Sequence, residues 1–104
     1  MKALSNVFGL CLVLLLGTEW FRVTNIHKVI LTWHASSSPV AGYNVYRKTR
    51  PDGVFMRVNS SLIQELTFTD NSVGSGDTYY YVTRSVGAQG TESANSNEII
   101  VTVP

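Results

Sequence analysis

The sequence predicts an all-β protein, an antiparallel β-sandwich of about seven strands. Three observations carry this. Apolar and polar residues alternate in short runs, as strands with one buried face require. Those runs arrive every dozen residues or so, with Gly-, Pro-, Asn- or Asp-rich turns between them. Val73 to Ser85 reads V-G-S-G-D-T-Y-Y-Y-V-T-R-S, a polar turn leading straight into a strand whose first aromatic is Tyr79. That is the layout of a tyrosine corner, in which a Tyr hydroxyl bonds the backbone a few residues upstream and locks a crossing between sheets.

The chain has 104 residues, enough for one domain. Met1-Lys2 is a short basic start, and Val7 to Leu16 (V-F-G-L-C-L-V-L-L-L) is an almost unbroken apolar run. Its length suits the core of a signal peptide, about 7–15 residues, and falls short of the roughly 20 that a membrane span needs. Gly17-Thr18 is the nearest candidate for cleavage, although bulky Trp20 and Phe21 follow. Residues 1–19 are therefore read as a signal peptide or short N-terminal anchor, and residues 20–104 as the folded domain. The expected location is secreted or in the cell envelope. The single thiol, Cys11, lies inside the apolar run. The rest of the chain has neither a disulfide framework nor a thiolate metal site, so its stability must come from packing. A net charge of +1 offers no field to draw nucleic acid or an anionic membrane.

The elements follow in order. In His27 to Trp33, Val29, Leu31 and Trp33 share one face, and Ile30 falls on the other. His34 to Gly42 is a Ser/Pro/Gly loop. Tyr43 to Thr49 is a strand with Tyr43 and Val45 inward. Arg50-Pro51-Asp52-Gly53 is a turn, because Pro fixes one φ and Gly tolerates a positive one. Phe55 to Val58 returns as a hairpin strand, and Asn59 to Leu66 connects. Thr67 to Asp70 is a short strand, Asn71 to Thr78 a turn, and Tyr79 to Val86 the most aromatic strand. Gly87 to Asn95 reads as a flexible loop. Glu98 to Val103 closes the chain, with Ile99, Val101 and Val103 inward. Trp33 is expected between the sheets, with Val45, Tyr81 and Ile99 around it.

Residues Leu31-Thr32-Trp33, Ser38 to Arg47 (S-P-V-A-G-Y-N-V-Y-R), Val73 to Tyr79 (V-G-S-G-D-T-Y) and Glu92 to Glu98 (E-S-A-N-S-N-E) come in an order and spacing that resembles a fibronectin type III domain of bacterial secreted style. The resemblance covers Val29 to Pro104. It implies an immunoglobulin-like sandwich, with residues 20–104 as the fibronectin type III-like domain. A Trp on the second strand and the lack of a Cys pair separate it from an immunoglobulin domain, whose Trp sits on the third strand beside a disulfide. Val73 and Ser75 stand where the family usually has Leu and Pro. The first strand is short or missing, since only Trp20 to Thr24 is available for it, and a second reading is a module cut from a longer protein.

The chemistry-bearing residues do not converge. His27 and His34 sit at opposite ends of one strand, about 20 Å apart at strand rise. They cannot share a site, and catalysis needs a base held beside a nucleophile. Asp70 and Asp77 flank one turn and could attract Ca²⁺ through oxygen ligands, or simply cap backbone N–H groups. Arg47, Lys48, Arg50 and Arg57 form a basic cluster around the hairpin, with Tyr46 between them. Such a cluster can grip an acidic polymer or a sugar ring, or keep an edge strand soluble. Tyr80 and Arg84 form a similar outer-face pair. Asn59-Ser60-Ser61 matches the N-glycosylation sequon. Gly74 and Gly76 are followed by no helix and make no phosphate loop. No catalytic, cofactor-binding or metal residues are assigned, and no cofactor is expected.

The resemblance implies a non-catalytic binding or spacer module of a secreted or cell-surface protein, not an enzyme in itself. The alternative is an accessory module, present as a fragment, of a secreted carbohydrate-active enzyme. A third reading is a ligand-recognition ectodomain anchored by its N-terminal segment. The expected partners are a protein or a polysaccharide, and neighbouring domains if the chain is a fragment. Nucleic acid is not among them, and a membrane enters only through an uncleaved N-terminal segment.

Overall fold

Val29, Leu31 and Trp33 turn their side chains to one side of an extended backbone and are almost wholly buried, while Ile30 and Thr32 between them are half-buried. This period-two alternation makes a strand, and it anchors one sheet of a sandwich. A computed structural model describes the backbone of residues 3–10, 13–16, 19–22 and 26–104, and side chains from residue 27 onward. The strands are β1 (Ala3–Leu10), β2 (Val13–Leu16), β3 (Glu19–Arg22), β4 (Ile26–Trp33), β5 (Gly42–Lys48), β6 (Met56–Arg57), β7 (Thr67–Asp70), β8 (Thr78–Val86) and β9 (Ile99–Thr102). One sheet has the order β1-β4-β7 and the other β6-β5-β8-β9, with every pair antiparallel. β2 and β3 form a separate two-stranded ribbon.

The sheets meet over Val29, Leu31, Trp33, Tyr43, Val45, Ile63, Tyr79, Tyr81, Val101 and Val103, with Phe68 and Ile99 packed at the margin. Trp33 therefore lies in the expected core, and its ring meets Tyr43 edge-on at 5.6 Å. Its indole N–H has no hydrogen-bond acceptor among the described residues. Edge-to-face aromatic pairs add about 0.5–1.5 kcal/mol to the area they bury.

Three segments depart from the sequence reading. Trp20 to Thr24 was expected to supply the first strand, but Glu19–Arg22 pairs with Val13–Leu16 instead. The backbone of Ala3–Leu10 lies along β4, from Ala3 opposite Trp33 to Leu10 opposite Ile26. The connection Asn59 to Leu66 is not merely a link. Tyr43 and Ile63 exchange two backbone hydrogen bonds, at 2.7 and 3.0 Å, and Ile63 enters the core. Gly87 to Asn95 is not a free loop along its whole length. After the turn at Gly87 to Gly90, Ser93 and Ser96 lie along β8. Their N–H groups donate to Ser85 O and Thr83 O, and their hydroxyls accept the N–H of Ser85 and Thr83. Each serine thus occupies a rung that a paired strand would fill.

Candidate functional site

The corner is where the sequence was most specific. Gly76 adopts φ 81°, a left-handed turn that glycine takes without cost. Its N–H donates to Val103 O at 2.9 Å, and the Val103 N–H donates to Asp77 O at 2.9 Å. The turn is thereby stitched to the end of the chain. The Tyr79 ring is buried, and its hydroxyl accepts the Gly74 N–H at 2.8 Å. This is the tyrosine corner.

Asp70, at the end of β7, is 3% exposed and ties one sheet to the other. Its Oδ2 accepts the Tyr81 hydroxyl at 2.6 Å and Arg47 Nη1 at 2.7 Å, while its Oδ1 accepts the Ser72 hydroxyl and N–H. Burial opposes its charge, but the bonds from Ser72, Tyr81 and Arg47 outweigh burial and hold the carboxyl below its usual range. The same neighbourhood raises Tyr81, through burial and then through Asp70. A carboxylate so engaged has no lone pair left for a cation. Asp77 stands apart, near the Tyr79 hydroxyl at 3.4 Å.

The basic cluster divides. Arg47 turns to Asp70 and lies over the Tyr79 ring at 5.0 Å. Lys48 stands on the opposite, outer face, over the Phe55 and Tyr80 rings and 3.3 Å from Glu98. Arg84 lies over Tyr46 at 4.1 Å, not over Tyr80. Glu92 completes that patch, accepting from Asn44, Tyr46 and Arg84. The bonds from Asn44 and Tyr46 lower its pKa first, ahead of Arg84. These rings are capped by the protein's own cations. His27 is half-buried at one end of β4, and His34 is exposed just past the other.

Asn59 is a buried clamp. It is 5% exposed. Its Nδ2 donates to Asn44 Oδ1 at 2.8 Å and to Ser61 O at 2.9 Å, and its Oδ1 accepts the Val45 N–H at 2.9 Å. Glycosylation would require breaking this buried set.

The clamp shapes a groove that sequence reasoning did not find. The groove is an open depression of about 290 Å³ between the Asn59 to Leu66 connection and β7. Ser60, Ser61, Glu65 and Thr69 line it, together with Leu62, Ile63 and Phe68. Its wall is pinned by Asn59, by Ile63 on Tyr43, and by Leu66 O on Trp33 N at 3.0 Å. Gly42 permits the close approach, since a Cβ there would meet Ile63 O and the Leu62 side chain at 2.6 Å. The sequence signal was faint: Asn59 and Ile63 on either side of two serines.

A solved structure, an Fn3-like protein from Clostridium thermocellum, matches with 35% sequence identity and a TM-score of 0.65, covering 74% of this chain and 77% of that one. The chain belongs to the fibronectin type III family. The sandwich, the corner at Tyr79 and the Trp33 core are thus the fibronectin type III arrangement. The domain is also 37% identical over 82 residues to an amylopullulanase of Thermoanaerobacter thermohydrosulfuricus. It is 34% identical over 73 residues to one of Thermoanaerobacterium thermosulfurigenes. These stretches are 79% and 70% of this chain, and the chain spans only 5% and 4% of those enzymes. No family model matches the sequence.

Proposed function

We propose that this fibronectin type III domain is a non-catalytic accessory module of a carbohydrate-active enzyme, working outside the cytoplasm as a binding or spacing unit. The observation that carries this is the alignment of most of its length with small segments of two amylopullulanases. Its own chemistry supports the same reading. The buried carboxylate Asp70 is bound to Arg47, Tyr81 and Ser72, and the two histidines lie at opposite ends of β4. The apolar run Val7 to Leu16 has the length of an export-signal core, although Val7 to Leu10 also belong to β1 and Val13 to Leu16 to β2. Fold alone does not select a partner, so the matched enzymes supply the context.

A chimera tests the proposal. The matched segment of the Thermoanaerobacter thermohydrosulfuricus amylopullulanase is replaced by Ile26 to Pro104 of this chain. An accessory module leaves kcat within about twofold and changes only stability or action on polymeric substrate. A folded chimera whose kcat collapses would show that the segment takes part in the chemistry, and would refute the proposal.

A further inference from the structure

We infer that the groove between the Asn59 to Leu66 connection and β7 is a binding subsite for one neutral hexose unit of a polysaccharide. The choice of an α-glucan as its source rests on the accessory-module reading above.

The groove's chemistry is that of a sugar site. Glu65 and the hydroxyls of Ser60, Ser61 and Thr69 are exposed, and no intramolecular hydrogen bond to these side chains is found among the described residues. They present acceptors and donors beside Leu62 and Phe68, which also line the groove. A hexose offers the complement, with hydroxyls around its rim and C–H groups on its faces. No cationic side chain lines the groove, and Glu65 repels anions, so acidic polymers and phosphates are disfavoured. About 290 Å³ lies at the small end of ligand sites, which begin near 300 Å³.

The backbone adds to this. Trp33 and Leu66 form a hydrogen-bonded pair, so the alternation of an antiparallel ladder turns the main chain of Thr67 and Thr69 away from β4, toward the open edge of β7. β7 has four residues, and the connection lines the groove beside it. The walls are fixed in advance by the Asn59 and Ile63 bonds, which reduces the ordering cost of binding.

The cleft between the loop after β4 and the segment before β9 lacks these properties. It is lined by Ser36, Ser37, Ser93 and Ser96, but the last two hydroxyls already accept from the backbone of β8.

The experiment is an amide NMR titration of the full chain with maltotriose, using lactate as a negative control. Saturable shifts confined to residues 60–69, with a dissociation constant on the order of 1 mM, are expected for a single-unit subsite. Glu65→Gln and Thr69→Val should each weaken binding about tenfold or abolish it, with the remaining spectrum unchanged. Ser37→Ala, in the other cleft, should bind as the parent does. Saturable shifts that lie elsewhere, no shifts, or unchanged binding in both groove variants would overturn the inference. Those results beside an active chimera would remove the groove and leave the accessory role standing. Groove binding beside an inactive chimera would do the reverse.

Discussion

The Tyr79 hydroxyl accepts the Gly74 N–H at 2.8 Å, five residues upstream, and so fixes where β8 leaves the turn. Tyr79→Phe keeps the ring and strips the acceptor from a partly buried N–H. We expect it to cost about 1–3 kcal/mol. Tyr80→Phe, on the outer face beside Lys48, should cost under about 0.5 kcal/mol. Urea denaturation of the two variants checks this, and equal losses would reject the corner's role.

Trp33 is 3% exposed and sits among Tyr43, Val45 and Tyr81. Trp33→Ala should cost about 3–5 kcal/mol through lost transfer energy and a cavity. That approaches the whole stability of a small domain. A denaturation midpoint that scarcely moved would mean that the sheets do not close over this ring.

Acid should unfold the domain through Asp70. Its folded pKa lies below its unfolded value, because bonds from Ser72, Tyr81 and Arg47 outweigh burial. Its contribution is complete above the ordinary carboxylate pKa of about 4, and is lost as pH falls through the lowered folded value. Glu92, also lowered, acts in the same direction. The thermal midpoint should therefore stay level between about pH 5 and 7 and fall below about pH 4. Asp70→Asn should lose about 3 kcal/mol at neutral pH and show a shallower acid limb. A variant with the parent's acid limb would assign that limb to other groups.

Much of this was legible beforehand. The strand holding Trp33, the turn Arg50 to Gly53, Thr67–Asp70 and the corner all follow from alternation and turn chemistry, which act locally, although Gly53 does not take the positive φ expected of it. The Asn59 clamp, Ile63 on Tyr43 and the serine rungs of Ser93 and Ser96 were not legible. Each is a polar bond to a strand far off in sequence, and neither periodicity nor propensity registers such a bond. The division of the basic cluster is hidden for a related reason. Arg47 and Lys48 are neighbours in sequence, but the pleat sends them to opposite faces.

Gly42 reports on the groove wall. Gly42→Ala places a methyl 2.6 Å from Ile63 O and the Leu62 side chain. The backbone oxygen cannot yield cheaply, so about 1–3 kcal/mol should be lost, with amide shifts spreading along Ser60 to Glu65. Shifts restricted to Gly42 and its sequence neighbours would mean that the connection is not held against β5.

Removing residues 1–25 takes β1 from the edge of β4. The freed backbone of Ile26–Trp33 is a template for another strand. The shortened chain should self-associate in sedimentation, or lose stability relative to the full chain. A clean monomer with slow amide exchange over Val29 to Trp33 would show that this edge needs no cover.

The role proposed for the domain is to serve a carbohydrate-active enzyme without performing its chemistry. Release of reducing ends from amylose and pullulan by the purified full chain measures this most directly. None above buffer is expected at any pH from about 4 to 9, with maltotriose present or absent. Reproducible turnover that disappears in Glu65→Gln or His34→Ala, with the fold intact, would contradict it.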